Sequence, residues 1–205
     1  MNDQAIPGIK GYEGREERFI AATIALDFQA LYHDFLPFIP VQPGLILDLG
    51  AGIGKDAYEF ARMGHTVTAV EPLDSFRAEG QKRYVSVNIE WIDDGLPALG
   101  KLEGRSGQYD FILAGGVWHH LDEAEQATAL LTVTQLLKPD GIFALTLRNG
   151  PAGLGTHVFP THATKIISQA KESGLGILLH RQRQPSMMAN KENVTWSKLV
   201  FQKQG

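Results

Sequence analysis

The feature that most constrains the fold is an apolar strand that runs directly into a glycine turn. Residues 46–54 read ILDLGAGIG, and the segment that follows has helical spacing. Three glycines in five residues let the backbone turn tightly and approach a ligand closely, and the start of the next helix offers unpaired amides. This order of strand, glycine turn and helix is typical of a parallel α/β sheet that binds a cofactor beside its first strand.

Two acidic residues lie where such a cofactor would be held. Asp48 is near the end of the first strand, and Glu71 ends the second predicted strand, 21 residues after Gly50. An acid at that distance can accept both hydroxyls of a ribose. A nicotinamide-binding turn needs glycine or alanine where this chain has Lys55, and Asp48 suits a cationic amino-acid group better than a diphosphate. The ligand is therefore expected to carry positive charge.

The rest of the chain alternates between short apolar runs and helical segments, which is the pattern of βαβ units. Apolar spacing over residues 13–36 predicts one or two N-terminal helices. Asp122 and Glu125 form a capping-box pattern before the longest helix. We predict strands at 45–49, 66–70, 88–92, 109–114, 141–147, 175–182 and 194–202, and helices near 55–63, 74–83, 122–137 and 161–173.

These elements predict a single domain with a Rossmann-like, three-layer α/β/α sandwich, which fits a chain of 205 residues. The seven-stranded sheet would be mostly parallel, with the last two strands as an antiparallel hairpin at one edge. Residues 1–43 would form an N-terminal helical cap on a core of residues 44–205.

Composition narrows the possible functions. The chain has no cysteine, which excludes disulfides, thiolate nucleophiles and cysteine-ligated zinc. A net charge of -4, with the basic residues dispersed, argues against a nucleic-acid partner. No apolar run approaches the ~20 residues of a membrane helix, and the polar start lacks a signal-peptide core. We expect a cytoplasmic protein with no membrane partner; the oligomeric state stays open.

The ordered motifs resemble those of class I S-adenosylmethionine-dependent methyltransferases. LDLGAGIGKD is followed by TAVEP, WIDDGLP, YDFILAGGVWHHLD and LLKPDGIFAL, so the resemblance covers residues 45–147. The tail, from LRNGPAGLG to NVTWSKLVFQ, also resembles a largely uncharacterised bacterial branch of these enzymes. The resemblance implies that S-adenosylmethionine is the cofactor and that a methyl group is transferred to an acceptor, which the motifs do not identify.

The resemblance also implies which residues hold the cofactor. Asp48 would bind the ammonium group of its methionine part, Glu71 the ribose, and Asp93, together with Asp94, the adenine amino group. A solvated loop or a turn cap is the alternative role for that last pair. The implied set is Asp48, Gly50, Ala51, Gly52, Gly54, Glu71, Pro72, Leu73, Asp93, Asp94, Ala114 and Gly115.

The segment after the fourth strand would face the reacting methyl group. His119 and His120 are candidates for a general base, because a nucleophilic oxygen or nitrogen loses its proton as it attacks; structural packing is the alternative. Candidates for contact with the acceptor are Trp118, for which packing is favoured, Arg148 and Asn149. Alanine and glycines stand where metal-dependent relatives carry an acid, so no catalytic metal is expected.

Several functions remain open beside methyl transfer to a small, partly anionic molecule. They are aminopropyl transfer on the same fold, cofactor binding without catalysis, and nicotinamide-dependent redox chemistry. Two segments are candidate lids over the site: the glycine-rich loop at 150–160 and the N-terminal segment.

Overall fold

In the computed structural model, which describes residues 6–12, 14–152, 155–188 and 191–205, the centre of the chain is a seven-stranded sheet. Its order is β3-β2-β1-β4-β5-β7-β6; β1 to β5 run parallel, and β7 is antiparallel to both neighbours. This confirms the predicted Rossmann-like sheet with its antiparallel hairpin. The strands are β1 (Leu45–Leu49), β2 (Thr66–Val70), β3 (Ile89–Ile92), β4 (Tyr109–Ala114), β5 (Leu137–Asn149), β6 (Leu175–Pro185) and β7 (Thr195–Lys203).

Six α-helices surround the sheet in the described part of the chain. They are α1 (Glu16–Ile24), α2 (Phe28–Leu31), α3 (Lys55–Arg62), α4 (Asp74–Arg83), α5 (Glu123–Leu136) and α6 (Ala163–Glu172). The predicted capping box is present, with Asp122 accepting from the Glu125 amide and Glu125 accepting from the Asp122 amide. None of these helices combines the length and apolar character needed to cross a membrane.

The fifth strand starts four residues before its predicted start at residue 141. Leu137 already pairs with Tyr109, and the ladder then shifts register before it continues from Phe111. The Lys-Pro-Asp-Gly segment lies within this irregular stretch, where Asp140 has a φ of 62° and Lys138 donates to Asp110 at 2.7 Å. The segment therefore forms an irregular part of the strand, whereas the sequence predicted that it connects the helix ending near residue 137 to a strand starting at residue 141.

The core lies on both faces of the sheet. One face packs against α5 and α6 through residues such as Leu130, Val133 and Ile166. The other packs against α3 and the N-terminal segment, where Phe28, Tyr32 and Phe35 join a cluster with α3 and the central strands. Residues 28–39 therefore share the core of the sheet.

The register of the central strands sets where the site forms. Leu49 at the end of β1 is paired with Val70 at the end of β2 and with Ala114 at the end of β4. Because these strands are parallel, the segments that follow them emerge at one edge of the sheet. The glycine turn, Glu71 and residues 115–120 therefore lie together.

Candidate functional site

A cavity opens where the three central strands end. The space between its walls, including the open mouth, is about 790 Å³. Five residues of the N-terminal segment form part of its wall: Ile6, Gly8, Ile9, Tyr12 and Phe19. Other parts of the wall come from the glycine turn, the end of β2, the loop after β3 and the segment after β4. The sequence-predicted residues that line it are Gly50, Gly52, Glu71, Pro72, Leu73, Gly115 and His120.

The glycine turn is held by backbone hydrogen bonds to the neighbouring strand. The amides of Gly50 and Ala51 both donate to the Val70 carbonyl, at 2.9 and 3.0 Å. Gly50 and Gly52 have φ values of 67° and 56°, which only glycine adopts without strain. A side chain at Gly50 would also meet Val117, at 2.8 Å from its Cβ. The turn thus keeps backbone, without side chains, at the cavity wall.

Gly54, the third glycine of the turn, packs against the side chain of Trp91. A Cβ at this position would overlap the Trp91 ring, and Gly54 precedes α3 with a φ of 73°. It does not line the cavity. The structure therefore places Gly54 in the packing of α3 against β3, while Gly50 and Gly52 face the cavity.

Glu71 is fixed in the cavity wall by two backbone amides. Its Oε2 accepts from Gly52 and its Oε1 accepts from Leu73, both at 2.9 Å. The residue is 5% exposed. Burial raises the pKa of Glu71 to about 7, although the two amides lower it. Each oxygen retains a lone pair, so the carboxylate can accept two further hydrogen bonds from a ligand.

Asp48 is a buried carboxylate with an unpaired oxygen. It is 2% exposed, and its Oδ2 has no hydrogen-bond partner within the described residues. Burial, and then the nearby Asp56, raise the pKa of Asp48 well above its usual range. An unpaired buried carboxylate is costly, and a cationic donor would satisfy it. The arrangement fits the positive ligand predicted from the sequence.

His120 makes a hydrogen bond with each ring nitrogen. Nδ1 lies 2.8 Å from the His157 carbonyl, and Nε2 lies 3.0 Å from the Tyr12 hydroxyl. A carbonyl only accepts, so Nδ1 carries the proton and Nε2 is left to accept from Tyr12. Burial lowers the pKa of His120, which favours this neutral form. His120 therefore presents a basic nitrogen toward the cavity, already engaged by a phenol.

The other candidates around β4 and β5 do not line this cavity. Trp118 is fully buried in the core against Phe143, and His119 is 6% exposed and packs edge-on against Trp196. Burial holds the pKa of His119 well below its usual range. Arg148 donates to the carbonyls of Gly150 and Pro151. Asn149 lines a second, separate pocket, and Ala114 is buried at the end of β4.

The two acids after β3 are engaged outside the cavity lining. Asp93 forms ion pairs with Arg77 at 3.0 Å and Lys101 at 3.4 Å. Asp94 accepts from the amides of Gly95 and Lys101, at 2.8 and 2.7 Å. Asp94 therefore caps the following turn, as its alternative role predicted. The next two residues, Gly95 and Leu96, do line the cavity.

Both candidate lids meet over His120. Within the described residues of the 150–160 loop, the Thr156 amide donates to the Lys10 carbonyl at 3.0 Å, and a Cβ on Gly155 would meet the His120 ring. From the N-terminal segment, Phe19 stacks on Phe76 with ring centroids 4.9 Å apart. The two segments thus meet beside His120, and the N-terminal segment contributes residues to the cavity lining.

Sequence reasoning assigned no role to several residues in and around this site. Tyr12 and Phe19 come from the N-terminal segment, and Tyr32 donates to Asp56 at 2.6 Å beside the glycine turn. Asp56 carried the one available signal, since it is an acid in the first turn of the helix that follows the glycines. The aromatic residues carried none, because their role depends on contacts far along the chain.

Comparison with known proteins identifies the central part of the chain. Residues 46–141 match the family model "Methyltransferase domain". A ubiquinone biosynthesis O-methyltransferase of Methylocella silvestris is 31% identical over 109 residues, which are 53% of this chain and 41% of that protein. A PKS-NRPS hybrid synthetase of Aspergillus fumigatus is 24% identical over 140 residues, which are 68% of this chain and 3% of that protein. The chain thus spans less than half of either curated relative.

Solved structures share the fold over most of the chain. The 1,6-didemethyltoxoflavin-N1-methyltransferase of Burkholderia thailandensis, crystallised with 1,6-didemethyltoxoflavin and S-adenosylhomocysteine, has a TM-score of 0.64 and 18% identity. The match covers 93% of this chain and 88% of that one. The likeness therefore extends beyond the residues that match the family model.

Proposed function

We propose that this protein is a class I S-adenosylmethionine-dependent methyltransferase that transfers the methyl group of S-adenosylmethionine to a small-molecule acceptor; the match of residues 46–141 to a methyltransferase family model supports this. The observation that carries the proposal is the convergence of the glycine turn and the amide-anchored Glu71 on one cavity. Asp48, near the end of β1, adds a buried carboxylate oxygen that has no partner among the described residues.

The residues present suit this cofactor. Glu71 has the free lone pairs to accept from two ribose hydroxyls, and Asp48 has the unpaired oxygen that an ammonium group would satisfy. Pro72, Leu73 and Leu96 offer an apolar wall for an adenine ring. Gly50 and Gly52 leave backbone space for the methionine part. When bound, S-adenosylmethionine supplies an electrophilic methyl group on a sulfonium.

Tyr12 and His120 are the groups best placed to move a proton. His120 Nε2 accepts the Tyr12 hydrogen, so the phenol oxygen has lone pairs free to accept from an acceptor's O–H or N–H. As the acceptor's proton passes to Tyr12, the Tyr12 proton passes to His120. Burial, followed by the charge of Glu71, raises the pKa of Tyr12 to about 12, so the phenol starts protonated. The base is therefore the pair, with His120 as the final proton holder.

The enclosure of the cavity supports a small acceptor. The N-terminal segment forms part of its wall, and Ile6, Ile9, Val117 and Leu121 make much of its lining apolar. An apolar cavity of this kind aligns a compact molecule with the cofactor and excludes water. The Arg148 guanidinium is occupied by two carbonyls, so the partly anionic character expected of the acceptor finds no support in this geometry.

Calorimetry with purified protein tests the cofactor. We expect S-adenosylmethionine and S-adenosylhomocysteine to bind one site per chain, while NAD and decarboxylated S-adenosylmethionine bind far more weakly. Binding of NAD alone would overturn the proposal. A metabolite pool can then be screened for conversion of S-adenosylmethionine to S-adenosylhomocysteine, with His120→Ala as the control for background turnover.

A further inference from the structure

A second carboxylate lies beside Asp48, and no sequence motif assigned it a role. Resting on the proposed function, we propose that Asp56, oriented by Tyr32, binds the ammonium group of the cofactor's amino-acid part together with Asp48. Asp56 is in the first turn of α3, and Tyr32 comes from the N-terminal segment that packs on the sheet. The proposal thus assigns a cofactor contact to α3 and an orienting role to the N-terminal segment.

Tyr32 holds Asp56 in a fixed position. The Tyr32 hydroxyl donates to Asp56 Oδ2 at 2.6 Å. The Tyr32 ring is itself locked, because it is buried and stacks on Phe35 with centroids 5.7 Å apart. A rigid phenol on a short hydrogen bond leaves the carboxylate little freedom to rotate. The other oxygen of Asp56 remains available for a ligand.

Both groups lie against Gly115, which lines the cavity. A Cβ at Gly115 would overlap the Tyr32 hydroxyl and would lie 3.7 Å from Asp56 Oδ2. Glycine is therefore required at this point, because the phenol and the carboxylate occupy the space of its side chain. Asp56 therefore lies directly behind Gly115, between the start of α3 and the segment after β4.

The unpaired oxygen of Asp48 is the independent sign of a missing partner. Asp48 Oδ2 is buried and makes no hydrogen bond among the described residues. An ammonium group has three N–H donors, so it can satisfy one carboxylate and still donate to a second. Asp48 therefore requires a donor, and Asp56 is the neighbouring acid placed to share it.

The surrounding charges favour a cation. Asp48 faces Asp56 and Glu71, and Asp56 faces Tyr32, Lys55 and Glu59. Lys55 directs its ammonium group to the Thr23 carbonyl, at 3.1 Å. Burial raises the pKa of Asp56 to about 6, so the empty cluster holds protons more tightly than free carboxyls do. A bound cation would release them.

Two ligands separate a contact from a structural role. S-adenosylhomocysteine carries the amino-acid group, whereas 5′-methylthioadenosine has the same nucleoside and sulfur without it. We expect Asp56→Asn to weaken binding of S-adenosylhomocysteine about 10-fold or more, and of 5′-methylthioadenosine less than about twofold. Tyr32→Phe should act in the same direction but more weakly, because it removes the orienting hydroxyl and keeps the ring. Glu79→Gln, an acid on α4 that pairs with Arg83, is the control and should change neither.

Calorimetry at about pH 6 in two buffers of different ionisation enthalpy counts the protons released. We expect proton release when S-adenosylhomocysteine binds to the wild-type protein and less release with Asp56→Asn. 5′-Methylthioadenosine should release fewer protons than S-adenosylhomocysteine, only those that its ribose displaces from Glu71, and Asp56→Asn should not change that number.

Three results are decisive. Equal weakening of both ligands, or unchanged affinity for S-adenosylhomocysteine in the folded variant, overturns the assignment of Asp56. If Asp56→Asn does not fold, Tyr32→Phe decides on the same ligand comparison. Failure of the wild-type protein to bind either ligand instead refutes the proposed function itself.

Discussion

The Tyr12 hydroxyl lies 3.0 Å from Nε2 of His120, although the two residues are 108 positions apart in the chain. The contact joins the N-terminal segment to the loop after β4, at the wall of the cavity. Because Nδ1 of the same ring is bound to the His157 carbonyl, the histidine is oriented from both sides. A base that is held in this way needs little reorganisation when it receives a proton.

The two adjacent histidines should differ in their effects. His120→Ala should lower turnover ~10²-fold or more and leave cofactor affinity within about threefold. His119→Ala should instead lower the melting temperature, because His119 is buried beside Trp196 and does not line the cavity. Rate and melting temperature measured on both variants decide the matter. Equal loss of turnover in both, or normal turnover in His120→Ala, would remove His120 as the base.

Tyr12→Phe tests the proton path and keeps the aromatic ring. The variant retains the ring that packs edge-on against Phe19 and loses the hydroxyl that donates to His120. We expect turnover to fall ~10-fold or more, with the substrate KM changed less than kcat. A pure packing role for Tyr12 predicts full activity. Phe19→Leu, a change in the same part of the wall, should alter cofactor affinity more than the chemical step.

Much of this site follows from local sequence, and the exceptions share one physical cause. The strand, the glycine turn and Glu71 were predictable, because apolar periodicity and positive-φ glycines act within a few residues. Gly54 has the same turn chemistry as Gly52, yet its neighbour is Trp91, from a later strand. The glycine motif therefore could not predict that Gly54 packs against Trp91.

The N-terminal part of the wall and the acidic cluster show the same limit. Tyr12 and His120 meet only after the chain has closed around the sheet, and Tyr32 reaches Asp56 across 24 positions. No period or turn signal reports such contacts. The early start of β5 has a related cause, since pairing of Leu137 with Tyr109 overrides the turn preference of the Lys-Pro-Asp-Gly segment.

Asp48→Asn should weaken cofactor binding and make the unliganded protein more stable than the wild type at high pH. The folded-state pKa of Asp48 is raised, so its protonated form contributes stability that is fully present below the unfolded pKa and is lost as pH rises through the folded pKa. Asparagine keeps the neutral shape at every pH. The free energy of unfolding of the variant should therefore rise relative to that of the wild type as pH rises, by about 1–3 kcal/mol once Asp48 is ionised.

Melting curves without ligand, from about pH 5 to about pH 9, test this trade-off. The prediction is contradicted if the stability of the variant relative to the wild type does not increase with pH. It is also contradicted if the variant binds S-adenosylhomocysteine with normal affinity.

Glu71→Ala should weaken S-adenosylmethionine binding by about 1.5–3 kcal/mol, because two ligand hydroxyls lose a charged acceptor. Glu90→Ala is the matched control, an acid on the adjacent strand whose ion pair with Arg105 lies outside the cavity lining. The pH dependence gives a second test. Burial raises the pKa of Glu71 to about 7, and hydroxyl donors favour its charged form, so affinity should fall as pH drops below about 7. In Glu71→Ala this part of the pH dependence should be absent. If Glu90→Ala weakens binding as much as Glu71→Ala, or if both keep wild-type affinity, the ribose is not held at the end of β2.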